Sequence, residues 1–85
     1  MTSDGDLGRV LNALSATLND QRDDRFDAER VQGVVVGALG GEPLLRAEPD
    51  PARIDAGWLV DERDVRVAEV RRHDGRWEVE RIELS

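Results

Sequence analysis

The chain's one histidine, His73, sits beside Asp74 in the stretch RRHDGRW, with Arg71, Arg72 and Arg76 around it and Trp77 just beyond. A histidine changes charge near neutral pH, so this cluster is the first place to look for acid–base or nucleophilic chemistry. Such chemistry needs a nucleophile or a second base. The chain has no cysteine and no tyrosine, and four of its five serines and threonines fall in the first 17 residues. A His-Asp pair adjacent in sequence is not by itself a dyad. His73 is read as a solvated residue flanking a turn, and no catalytic residue is expected.

Other constellations are equally sparse. The run GALGG after a row of valines has neither the G-x-G-x-x-G nor the G-x-x-x-x-G-K-[ST] pattern of a phosphate loop. The acidic clusters Asp23-Asp24 and Asp61, Glu62, Asp64 lack the alternating ligands and fixed glycine of a calcium loop. One histidine and no cysteine exclude a thiolate zinc site. No metal and no cofactor are expected. Three arginines and a tryptophan at RRHDGRW could grip single-stranded nucleic acid by stacking and phosphate contacts. The remainder of the chain opposes that reading: 19 acids stand against 12 arginines, there is no lysine, and the net charge is −7. Residues 65–85 are balanced at five of each, and no segment shows a basic surplus. Arginine without lysine, amid valine, alanine, glycine and aspartate, is the composition of a GC-rich genome, as in some halophiles.

These residues must be placed by an 85-residue chain with only three aromatics, Phe26, Trp58 and Trp77. A domain of this length buries a marginal core, and short chains commonly add a staple. With disulfide and zinc excluded, self-association is the staple expected here. The acidic start MTSDGD is unlike a signal peptide and no run is long enough to span a bilayer. A single cytoplasmic domain, residues 1–85, is expected.

Leu7, Val10, Leu11, Leu14 and Leu18 form one apolar stripe and predict a helix over roughly 6–20, with Ser3 and Asp6 at capping-box spacing. A second helix over 27–40 is predicted from Asp27 as N-cap, Phe26 and Val31 at staple spacing, and Gly40-Gly41 as stop. Its β-branched and glycine content leaves a buried strand as the alternative. Gly33, Val36 and Gly37 line a small, smooth face of that element, suited to close packing within the chain or across a dimer. The connection 42–57 holds all three prolines, and DPARIDAG reads as a short helix with Asp50 as N-cap, Pro51 first and Gly57 as stop. Strands are expected at 58–60, 65–72 and 76–84. The fold class is thus α+β: two N-terminal helices followed by a three-stranded antiparallel meander ending in a long Asp-Gly hairpin.

Asp74-Gly75 at a hairpin tip sets the register. His73 then faces Arg76, Arg72 faces Trp77, Arg71 faces Glu78, Val70 faces Val79 and Val67 faces Ile82. Val65, Val67, Ile82 and Leu84 fall on one face, and Trp77, Val70 and Val79 on the other. Either the hairpin carries a bulge or its base and tip bury opposite faces. In the second case Trp77, Val70 and Val79, rimmed by Arg71, Arg72 and Arg76, form a patch looking for a partner. The function expected from sequence is a small acidic, non-enzymatic interaction or regulatory module, homodimeric or bound to a larger protein. The alternatives are contact with single-stranded nucleic acid through the hairpin tip, and a small enzyme with an acidic site.

Overall fold

Two helices and then four strands follow one another in the computed structural model, which describes residues 4–41 and 45–82. The first helix, α1, spans Asp4–Gln21 and buries Leu7, Val10, Leu14 and Leu18, the stripe read from the sequence. The second, α2, spans Ala28–Ala38. Its β-branched valines are overruled by its two ends. Asp27 has extended backbone and its carboxylate accepts from the N–H groups of Glu29 (3.1 Å) and Arg30 (3.3 Å). Phe26 and Val31 both enter the core, completing the staple. At the other end the Gly41 N–H donates to the Val36 carbonyl (2.8 Å) and the Gly40 N–H to that of Gly37 (3.4 Å), with both terminal glycines at positive φ. This double bond pattern closes a helix on a left-handed residue. Ser3, Leu44 and Leu84 lie outside the described residues.

The strands are β1 (Arg46–Pro49), β2 (Ala56–Val60), β3 (Arg66–His73) and β4 (Arg76–Arg81), all antiparallel in the order β1-β2-β3-β4. The meander has four strands, not the expected three. The additional strand is β1, short and poor in β-branched residues, which pairing with β2 makes extended. Pro49 is tolerated because β1 is an edge, where a missing N–H breaks no ladder bond. The expected helix at DPARIDAG is instead the loop of the β1–β2 hairpin and the start of β2. Asp50 does bond forward, accepting from the Ala52 N–H at 2.8 Å, while its own N–H reaches the Ala56 carbonyl at 3.0 Å. An Asp-Pro start serves a turn as well as a helix, and strand pairing on both sides decides the outcome.

In β3–β4 the observed partners are Val70↔Val79, Arg71↔Glu78, Arg72↔Trp77 and His73↔Arg76, as the hairpin reading required. The Ile82 N–H donates to the Val67 carbonyl at 3.0 Å, continuing the same register. The irregularity lies on the other side of β3. Leu59 pairs with Ala68 but Val60 pairs with Arg66, so one additional residue sits in β3 opposite β2. Such a bulge shifts the phase of a strand and bends it.

Both helices cover one face of the sheet, α1 against β4 and α2 against β1. Their stripes meet Leu59, Ala68, Val70 and Trp77 in one core that also includes Phe26 and Leu45. No helix among the described residues is long and apolar enough to cross a membrane.

Candidate interaction surface

The patch expected at the hairpin tip is not on the surface. Val70 is 0% exposed and Trp77 3%, both sealed in the core, and Val79 is partly buried against it. Their cover is the chain's own: α1 lies over β4, and the Trp77 Nε1–H donates to the Asp23 carbonyl at 2.8 Å. Trp77 therefore offers no ring to a base or to a partner, which removes the stacking half of the nucleic-acid reading at this tip. His73 and Asp74 stand 3.3 Å apart with side chains 67% and 88% exposed, at the solvated turn the sequence implied. Arg71 pairs with Glu69 at 2.9 Å and remains exposed, as does Arg76, while Arg72 is partly buried. The smooth face of α2 points outward. Gly33 and Gly37 are exposed, an added Cβ at either meets nothing within 4 Å, and Val36 is partly buried. Among the described residues it makes no close helix–helix contact.

The tryptophan available for contact is Trp58, which sequence reasoning had placed only as a strand residue. Register puts it at the centre of the sheet face that the helices leave uncovered. Across the strands run the row Glu48–Trp58–Glu69–Glu80 and, on one side of it, the row Arg46–Val60–Arg66. On the other side lie Ala56, Arg71 and Glu78, with Arg76 toward the tip. The bulge in β3 delivers Arg66 to this face. Its guanidinium lies 3.7 Å from the Trp58 ring centroid, a cation–π contact. It also donates through Nη2 (2.9 Å) and Nε (3.3 Å) to Glu48 Oε1. Trp58 is only partly buried beneath it, and the strand residues of this face carry four arginines (46, 66, 71, 76) and four glutamates (48, 69, 78, 80). Against a net chain charge of −7 this face is balanced.

The edges of the same sheet are closed by carboxamides from the helices. Asn19 on α1 accepts from the Trp77 N–H (2.8 Å) and donates to the Trp77 carbonyl (3.1 Å), pairing with β4 as a further strand would. Gln32 on α2 does the same for β1, accepting from the Ala47 N–H (2.9 Å) and donating to the Leu45 carbonyl (2.8 Å). Pro49 adds an edge residue with no donor. Unpaired strand edges invite edge-to-edge joining, and these devices oppose it.

The perturbed ionisable groups are structural. Asp61 accepts from the N–H groups of Val65 (3.0 Å) and Arg63 (2.9 Å), and those bonds hold its carboxyl below the usual range. Arg53 bonded to Asp55 at 3.0 Å lowers the Asp55 carboxyl in the same sense. Both tie down turns. A hollow of about 800 Å³ between α2 and the β2–β3 turn is lined by Gln32, Val36, Leu45, Arg46, Val60 and Asp61 among others, and is wide open to solvent. Among the described residues no three acidic or histidine side chains converge as metal ligands would.

Compared with protein-family models, with curated proteins and with solved structures, the chain finds no match.

Proposed function

We propose that the protein is a small, cytoplasmic, non-enzymatic interaction or regulatory module, and that it works through the helix-free face of its sheet. The observation that carries the reading is the position of Trp58: partly buried, central, and outside the core that takes Phe26 and Trp77. Tryptophan and arginine are the side chains most often dominant in protein contacts, and here they are stacked on one another. The acids whose protonation is perturbed, Asp55 and Asp61, are engaged by Arg53 and by the N–H groups of Val65 and Arg63, and the hollow that Asp61 borders is wide open to solvent, which favours binding over acid–base chemistry. The test is photo-crosslinking in the cells of origin. A photoreactive residue in place of Glu69, on this face, should give discrete adducts, and one in place of exposed Glu29 on α2 should not. Equal labelling at both positions, or none at position 69, would overturn the assignment of the face.

A further inference from the structure

We infer that the occupant of this face is a second copy of the chain, the two sheets packing face to face about a two-fold axis that crosses the strands near Leu59. The inference rests on the reading of the face just given and supplies its partner. Each copy carries a net charge of −7, so two copies repel unless they meet where charge is balanced. The helix-free face, with its four arginines and four glutamates, is such a place.

A two-fold contact uses one patch twice, so the patch must complement itself. The row registers do this. An axis lying between the row Glu48–Trp58–Glu69 and the row Arg46–Val60–Arg66 sets each row over the other row of the second copy. Glu48 then meets Arg46 of the second copy and Glu69 meets Arg66 of the second copy. Both pairs recur by symmetry, with the two Trp58 rings between them. Arg66 is suited to this double role: its bonds to Glu48 use Nε and Nη2, and a guanidinium has further N–H donors on Nη1 for a second carboxylate. Each strand crosses its own counterpart, which is the aligned packing of two twisted sheets about 10 Å apart. The carboxamides of Asn19 and Gln32 oppose the other way two sheets can join, edge to edge.

Sedimentation velocity on the purified full chain over a concentration series tests the inference. The wild type should dimerise. Glu69→Arg and Arg66→Glu should each weaken the dimer by roughly tenfold or more, since each sets like charges against one another in the contact. An equimolar mixture of the two variants should recover it, because the new arginine of one meets the new glutamate of the other. Circular dichroism establishes that both variants fold; if one does not, Glu48→Arg mixed with Arg46→Glu tests the same axis. A wild type that stays monomeric at every concentration, or folded variants whose mixture stays monomeric, overturns the second copy as partner. Crosslinking at position 69 in cells, alongside a monomeric purified protein, would leave the face as an interaction surface for a different protein.

Discussion

The ring of Phe26 occupies the space that a side chain on Gly57 would fill: a Cβ built on Gly57 would lie 2.5 Å from Phe26 Cζ and 2.7 Å from both Cε atoms. Phe26 reaches this position because it precedes the N-cap of α2 and its own N–H donates to the Ile54 carbonyl at 2.6 Å. The glycine at the second position of β2 is there for close approach, not for turning the chain. Gly57→Ala should cost about 1–3 kcal/mol as an overpacked core does, and Phe26→Ala about 3–5 kcal/mol as a lost aromatic does. Combined with Phe26→Leu, Gly57→Ala should cost less than it does alone. Urea unfolding reads all three, and strictly additive losses would show that the two residues do not share the space.

Asn19 gives a second prediction. Asn19→Ala leaves both edge-facing backbone groups of Trp77 without their partner, and should cost about 1–3 kcal/mol. Asn19→Asp keeps the acceptor for the Trp77 N–H but sets a carboxylate against the Trp77 carbonyl, so it should be no milder. Denaturant melts would show it, and a loss no larger than that of Asn12→Ala on the polar face of α1 would mean the carboxamide contributes nothing.

The acid limb of stability should carry the mark of Asp61. Its carboxyl titrates below the unfolded value of about 3.9 because the Val65 N–H, and then that of Arg63, bond to the charged form. A depressed folded value contributes stability that is fully present above the unfolded value and is lost as pH falls through the folded one. Asp61→Asn keeps an acceptor but cannot titrate. The variant's stability should fall less steeply than the wild type's below about pH 4. Parallel curves for the two proteins across that window would remove the assignment.

At the tip of β3–β4, Asp74 and Gly75 have φ of 51° and 78°. Gly75→Val should cost about 1–3 kcal/mol, chiefly from backbone strain, since an added Cβ meets nothing within 4 Å. Gly75→Asn, which tolerates the left-handed region, should cost less. Thermal melts of the pair would decide it, and equal melting temperatures would mean the turn relaxes freely.

How much of this was legible depended on whether the information was local. The β3–β4 register could be counted outward from Asp-Gly, and α2 could be read from Asp27, Phe26 and Gly40-Gly41 despite its valines. What could not be read was which tryptophan the helices cover. Trp77 and Trp58 both sit in strands with alternating neighbours. The pairing of Trp58 with Glu69 and of Trp77 with Arg72 sets them on opposite faces, and the packing of α1 on β4 decides which face is covered. Strand β1 has no pattern of its own, because its extended form comes from pairing with β2. Asn19 and Gln32 look like ordinary polar-face residues until a strand edge arrives beside them.

The pairing of Asn19 with Trp77 joins positions 58 apart, an N-terminal helix to the last strand. On a ribosome, α1 would emerge well before β4, with α2 the first of its packing partners to follow. Each strand of the meander could pair with its predecessor as it appeared, but the stripe of Leu7, Val10, Leu14 and Leu18 would be covered only in part, by α2, until β4 cleared the exit. Closure of the fold is therefore a late event in synthesis. A nascent chain stalled before Trp77 would present a half-covered leucine stripe to whatever chaperone or neighbouring nascent copy met it first.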